Sequence, residues 1–126
     1  MPIHKHVLIR SEVTKPIVDR EAAIDWMTRL IAKIGMTITE HGGPHCDYVK
    51  KENNEGIAVV ALIETSHCAM HIWDKESPPL VQLDVYSCAE FKVWDILEFV
   101  YEMKPSKITF KLFDRSKGII KMKEKR

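Results

Sequence analysis

The sequence lacks the features that mark several large classes of protein. No apolar run approaches the roughly 20 residues of a transmembrane helix, and the first ten residues lack the long apolar core of a signal peptide. With 19 Lys and Arg against 18 Asp and Glu, the chain has no general attraction to nucleic acid or anionic lipid. The cysteines are three, an odd number in a chain that needs no disulfide. We therefore expect a cytoplasmic protein with neither a membrane nor a nucleic-acid partner.

What is present is the composition of one small folded domain. The chain has 126 residues, 45% hydrophobic and 29% charged, and a chain of this size can bury a core of its own. There is no linker, low-complexity stretch or tandem repeat, so we predict a single domain over residues 1–126. The C-terminal tail, about residues 115–126, holds six basic side chains and one acidic one, which predicts a solvated terminus.

Apolar spacing predicts two helices among several strands. One helix runs from Asp19, a plausible N-cap, to Gly35, and the other from about Glu90 to Lys104, where Pro105 forbids continuation. Strands are predicted at His6–Arg10, Met36–Glu40, Ile57–Ile63, Cys68–Trp73, Leu80–Cys88 and around Ile108–Leu112.

The order of these elements indicates the fold class. Strands that follow one another without helices between them favour a mainly antiparallel sheet. We therefore predict an α+β fold, a two-layer sandwich with both helices on one face of the sheet. The unbroken apolar run Ile57–Ile63 predicts a central strand that is covered on both faces.

Histidine and cysteine cluster around residues 66–71, which raises the possibility of a metal site. His67 and His71 would lie on one face of a strand but about 13 Å apart, too far for a shared ion. We therefore predict no metal. The other candidate ligands are Cys68, His41, His45 and Cys46.

Ser66 could also serve as a nucleophile activated by a neighbouring histidine. It has no G-x-S-x-G sequence around it. Spacing alone leaves open a simpler interpretation, in which the serine closes a strand beside a core cysteine and a buried histidine.

The middle third of the chain resembles the central segment of the prokaryotic S-adenosylmethionine decarboxylases. That family carries an apolar strand, then Ser-His, a histidine four residues after that one, a Trp, and an Asp-x-(Phe/Tyr)-(Thr/Ser)-Cys sequence. The matching residues here are Gly56, Ser66, His67, His71, Trp73, Asp84, Tyr86, Ser87 and Cys88.

The resemblance implies a self-processing enzyme. The chain would cut itself between Thr65 and Ser66, and Ser66 would become the pyruvoyl group that serves as its cofactor. His71 would assist processing, and Cys88 would return a proton to the substrate carbon after decarboxylation. The small-molecule substrate would be S-adenosylmethionine and the product the aminopropyl donor of spermidine biosynthesis. The family builds its active sites at or near a two-fold interface, which implies a homodimer.

Several positions depart from the family pattern. Thr65 replaces a glutamate, Ala58 replaces a serine implicated in processing, and Arg10 replaces an acidic residue associated with substrate binding. A Trp-Pro-Glu sequence is altered, so Asp74 or Glu76 is predicted to take the place of the glutamate that approaches the substrate ribose. Two alternatives follow from these changes: a relative that binds a ligand or partner subunit without processing, and a decarboxylase of another amino acid.

Overall fold

Seven antiparallel strands form one sheet in the computed structural model, which describes residues 3–123. The strand order is β2-β3-β4-β5-β1-β6-β7, and all neighbouring strands are antiparallel. The elements are β1 (Lys5–Val13), α1 (Arg20–Lys33), β2 (His45–Val49), β3 (Gly56–Ile63), β4 (Ser66–Trp73), β5 (Leu80–Ser87), α2 (Val93–Val100), a 3₁₀ turn (Tyr101–Met103), β6 (Pro105–Asp114) and β7 (Ile120–Met122).

The core lies between one face of the sheet and the two helices. Alternate strand residues point to opposite faces, so each strand contributes every second side chain to this core. The other face, called here the open face, carries partly or fully exposed side chains. The predicted α+β sandwich, with both helices on one side, is confirmed. Core residues include Val7, Ile9, Met70, Ile72, Leu83 and Val85 from the sheet, and Trp26, Met27, Leu30, Ile31, Ile96 and Leu97 from the helices.

The first helix agrees with its sequence signals. The side chain of Asp19 accepts a hydrogen bond from the Ala22 N–H at 3.0 Å, which satisfies one of the free amides at the start of α1. The helix ends at Lys33, and Gly35 then takes a φ of +77° that suits glycine best. Residues close to its two ends therefore determine where α1 begins and ends.

The second helix begins later than predicted. The Lys5 ammonium donates to Glu90 Oε1 at 2.6 Å and to the Phe91 carbonyl at 2.7 Å, which holds this segment against β1. Lys92 is still extended, and α2 starts at Val93. The helical spacing gave no indication of this contact, because Lys5 is 85 positions away from Glu90.

The predicted strand Met36–Glu40 is wrong. Only Ile38 bridges to β3, opposite Ile63, and the adjoining Thr39 N–H donates to the Leu62 carbonyl at 3.1 Å. The edge strand is β2 instead, which alternating spacing did not single out. A short polar strand is detected through its pairing with β3, not through its own pattern.

The prediction that Ile57–Ile63 is a central strand covered on both faces is also wrong. β3 is second from the sheet edge, and Val60 and Leu62 on the open face are 42% and 53% exposed. Within the C-terminal tail, β7 pairs with β6, and most of the described tail side chains are exposed. The last three tail residues lie outside the described part of the chain. Neither α-helix of residues 3–123 has the length and apolarity needed to span a membrane.

Candidate active site

A tight hairpin between β3 and β4 positions Ser66. Ile63 pairs with Ser66 across a two-residue turn made of Glu64 and Thr65. Two-residue hairpins usually take positive φ within the turn, because that twist matches the strands. Here neither turn residue does so, and Ser66 itself has a φ of +150°. A non-glycine residue in such a conformation carries strain of about 1–3 kcal/mol.

The Thr65 carbonyl group, which precedes Ser66, is held by residues at the end of β5 and just after it. The Cys88 N–H donates to the Thr65 carbonyl oxygen at 2.9 Å. The Ser87 hydroxyl donates to Thr65 Oγ1 at 2.8 Å, and Thr65 Oγ1 donates to Met36 Sδ at 3.3 Å. Because an N–H donor withdraws electrons from a carbonyl, the Thr65 carbonyl carbon is prepared for nucleophilic attack.

The Ser66 hydroxyl meets a chain of polar side chains on the open face. Ser66 Oγ lies 3.2 Å from His67 Nδ1, and His67 Nε2 lies 3.6 Å from Asp84 Oδ1. His6 Nε2 is hydrogen-bonded to the same Asp84 oxygen. Arg115 Nη1 lies 3.2 Å from His6 Nδ1 and continues the chain. We call His6, His67 and Asp84 the His-Asp cluster.

This cluster has the composition of a metal site, with one atom from each residue within 4.8 Å of the others. The Arg115 guanidinium has only donors, however, so His6 Nδ1 must accept and His6 Nε2 must carry the proton. A metal would need that Nε2 lone pair. The observed arrangement therefore fits a hydrogen-bonded network. The ligand set considered from sequence does not converge, because Cys68 is fully buried on the helix side of the sheet.

His71 and the two predicted substrate-binding acids lie apart from Ser66 within one chain. His71 is five residues along β4, about 16 Å at the usual rise, and stacks on Trp73 with 5.6 Å between ring centroids. Asp74, just beyond β4, accepts from the Tyr48 hydroxyl at 3.0 Å. Glu76 is exposed in the next loop. The roles of His71, Asp74 and Glu76 stay predictions.

A depression of about 480 Å³ on the open face connects the two regions. It extends from Asp84 of the cluster to the stacked rings of His71 and Trp73. Two cations, Arg10 and Lys111, lie on its wall, and Arg10 also pairs with Glu12 at 3.1 Å. The depression therefore combines aromatic surface with charges of both signs.

The three cysteines differ in burial, and therefore in how readily each thiol can react. Burial, followed by the nearby charge of Asp84, raises the pKa of the Cys68 thiol to about 12. Burial also raises the pKa of Cys46. Because only the thiolate is a strong nucleophile, neither is suited to react. Cys88 is partly exposed and lies beside the Thr65–Ser66 bond.

Part of this site could not be predicted from the sequence. His6 and Arg115 had no assigned role, because His6 meets Asp84 only through the pairing of β1 with β5 and meets Arg115 only through the pairing of β1 with β6. Asp84 and His67 belong to the matched motif, which was the available signal for them.

Comparisons with known proteins indicate the family of the chain. A family model described as S-adenosylmethionine decarboxylase matches residues 6–116. The arginine decarboxylase proenzyme of Caldivirga maquilingensis is 33% identical over 63 residues, which cover 48% of this chain and 46% of that protein. The crystal structure of the adenosylmethionine decarboxylase from Aquifex aeolicus has a TM-score of 0.69 at 20% identity, covering 99% of this chain and 98% of that one.

The fold and the match define the class of protein. The chain belongs to the S-adenosylmethionine decarboxylase family, whose members are decarboxylases that use a pyruvoyl group formed from a serine. The matched stretch spans less than half of the arginine decarboxylase relative.

Proposed function

We propose that this chain is a pyruvoyl-dependent decarboxylase that first cuts itself between Thr65 and Ser66. The observation that supports the proposal is the set of contacts and the backbone conformation at the Thr65–Ser66 peptide bond. Its carbonyl accepts the Cys88 N–H at 2.9 Å, its serine hydroxyl lies 3.2 Å from His67 Nδ1, and its serine has a φ of +150°. Breaking the bond releases backbone strain that folding has placed there.

The proposed cleavage proceeds through an ester. Ser66 Oγ bonds to the Thr65 carbonyl carbon, the carbon–nitrogen bond breaks, and the Ser66 nitrogen gains a proton to become an amine. Loss of the Ser66 Cα proton then expels the carboxylate of residues 1–65. Water replaces the nitrogen, ammonia leaves, and a ketone remains at the start of residues 66–126.

The residues around Ser66 fit this group. When formed, the pyruvoyl group binds a substrate amine and accepts the electrons left when carbon dioxide departs. Cys88 lies beside the cleavage site through its N–H contact with Thr65, and we assign its thiol to protonate the substrate carbon.

A homodimer through the open face is part of the proposal. That face carries exposed apolar side chains, among them Leu8 at 45% exposure, Val60 and Leu62. Because His71, Asp74 and Glu76 lie apart from Ser66 in their own chain, their assigned roles in processing and substrate binding require a second copy. Light scattering of the purified protein tests the dimer, and a monomer at assay concentration contradicts it.

S-adenosylmethionine is the first candidate substrate, and the decarboxylated product would enter spermidine synthesis. Arginine is the second candidate, supported by the 33% identical arginine decarboxylase proenzyme. Both carry an α-amine, a carboxylate and a cationic side chain. Arg10 and Lys111 in the depression would bind a carboxylate and repel a sulfonium or guanidinium placed beside them.

The decisive experiment is the intact mass of freshly purified protein under denaturing conditions. We expect fragments 1–65 and 66–126, the second lighter by one ammonia than a fragment that begins with serine. The Ser66→Ala variant should stay whole and inactive. Carbon dioxide release from S-adenosylmethionine and from arginine then identifies the substrate.

The alternative is a relative that binds a ligand or partner subunit without processing. Ala58 favours it, since that position lies directly opposite His71 and offers no hydroxyl. A single uncut species that persists on long incubation would support this alternative and contradict the proposed enzyme.

A further inference from the structure

We infer that His67, and not His71, is the base that takes the proton from Ser66, with Asp84 and His6 as positioning residues. The inference rests on the proposed self-cleavage and names its proton acceptor. The contacts of the His-Asp cluster carry the argument, because they assign the position of each proton in turn.

Arg115 determines which nitrogen of His6 carries the proton. A guanidinium only donates, so its 3.2 Å contact requires that His6 Nδ1 accept. A neutral His6 therefore carries its proton on Nε2 and donates it to Asp84. Two histidine Nε2 atoms now face the same Asp84 oxygen, because His67 Nε2 lies 3.6 Å from it.

The Asp84 carboxylate determines the tautomer of His67. An ionised carboxylate is acceptor-only, so Asp84 favours a proton on His67 Nε2 and a lone pair on Nδ1. That lone pair lies 3.2 Å from Ser66 Oγ. His67 thus presents an acceptor to the nucleophile, while Asp84 stabilises the cation that forms when the proton arrives.

Aromatic packing holds the cluster in place. The Tyr86 ring lies against His6 and His67, with ring centroids 5.2 Å and 5.8 Å away, and Arg115 lies over it at 4.4 Å. Tyr86 also contacts His4 Nδ1 through its hydroxyl at 2.9 Å. The groups that orient His67 therefore have little freedom to rearrange.

Among residues 3–123 of its own chain, His71 has no comparable arrangement around it. It stacks on Trp73, pairs across the sheet with Ala58, and lies about five strand residues from Ser66. We therefore assign the first proton transfer to His67 of the same chain, and we place any contribution of His71, which would come from the second copy, after ester formation.

The step balances within the chain. As Ser66 Oγ bonds to the Thr65 carbonyl carbon, its proton moves to His67 Nδ1, and the Cys88 N–H stabilises the developing oxyanion. When the carbon–nitrogen bond breaks, the imidazolium returns that proton to the Ser66 nitrogen, which leaves His67 neutral and the ester formed.

The test follows newly synthesised precursor over time, with and without hydroxylamine. Hydroxylamine opens an ester but not an ordinary peptide bond, and so yields a 1–65 hydroxamate and a 66–126 fragment that keeps its serine. We expect His67→Ala to slow both spontaneous and hydroxylamine-induced cleavage by about 10²–10⁴-fold. Added imidazole should restore part of the rate. His71→Ala should still release fragments with hydroxylamine.

Matched variants separate this role from a structural one. Asp84→Asn should slow ester formation roughly tenfold or more, and Asp84→Glu, which keeps the carboxylate, should recover part of it. His41→Ala, at an exposed position outside the cluster, should cleave like wild type. Circular dichroism and thermal melting establish that each variant is folded.

The two proposals fail differently. Wild-type protein that neither cuts itself nor releases fragments with hydroxylamine contradicts the proposed function, and this inference with it. Wild-type protein that cuts normally, with a folded His67→Ala variant that cuts at the same rate, overturns only the assignment of His67. So does hydroxylamine release that is lost in His71→Ala but kept in His67→Ala.

Discussion

Backbone strain at Ser66 can be measured by comparing two variants that cannot cleave. Ser66→Ala keeps a Cβ at a φ of +150°, whereas Ser66→Gly removes it. Both lack the hydroxyl, so neither forms an ester and both remain full-length. Any difference in their free energy of unfolding therefore reports on the backbone.

The expected magnitude follows from two opposing contributions. Relief of strain favours the glycine variant by about 1–3 kcal/mol. The greater flexibility of unfolded glycine, and its poor fit within strands, cost about 0.5–1 kcal/mol relative to alanine. We therefore expect Ser66→Gly to be more stable than Ser66→Ala by about 1 kcal/mol, and by no more than about 2.5 kcal/mol.

Urea unfolding followed by circular dichroism measures this difference. Ser106 in β6 provides the matched control, because it is an exposed strand residue without positive φ. There the glycine variant should be less stable than the alanine variant by about 0.5–1 kcal/mol. If the Ser66 pair shows the same order as the Ser106 pair, the scissile bond is not strained and the argument from strain is wrong.

Further predictions concern Cys88, the thiols as a group and a glycine in β3. Cys88→Ala should still process but lose turnover or misprotonate the product, as judged by chromatography, and unchanged turnover would remove its thiol from the mechanism. Iodoacetamide at pH 8 should modify Cys88 well before Cys46 and Cys68 in folded protein. Burial raises the pKa of the Cys46 and Cys68 thiols, and leaves Cys68 neutral below about pH 12. Peptide mass mapping checks the order of labelling, and early labelling of Cys68 would contradict its burial. Gly56→Ala should destabilise by at least about 2 kcal/mol, since an added Cβ would lie 1.8 Å from the Ile72 carbonyl oxygen, and a thermal melt that matches wild type would refute this.

The division of the site between two regions has a consequence for catalysis. Asp84 of the His-Asp cluster lines one end of the depression, and His71 and Trp73 line the other. If a second copy covers the open face, variants in the two regions should complement each other in mixed dimers. A heterodimer of His71→Ala and Ser66→Ala would then recover processing of one chain.

Several features could be predicted from the sequence because they depend on near neighbours. Asp19 caps α1 through a residue three positions on, and alternation along β4 separates Cys68 from His67. The Ser66 motif likewise lies within one continuous segment. Each of these signals acts over one turn of helix or one pleat of strand, so the local residue pattern carries it.

The remaining features depend on contacts between distant parts of the chain. Lys5 contacts the segment that precedes α2, and β2 is paired with β3, although neither segment signals this by its own pattern. The strained φ of Ser66 comes from closing a hairpin whose turn residues do not supply the needed twist.

The His-Asp cluster depends most on tertiary structure. Arg115 and His6 are 109 positions apart, and they meet because β1 pairs with β6. His6 meets Asp84 because β1 also pairs with β5. Local sequence indicates which residues are available near Ser66 and which strand face each one occupies. Which of these residues touch depends on the order and register of the strands. Packing across the whole sheet sets both, and no single segment encodes them.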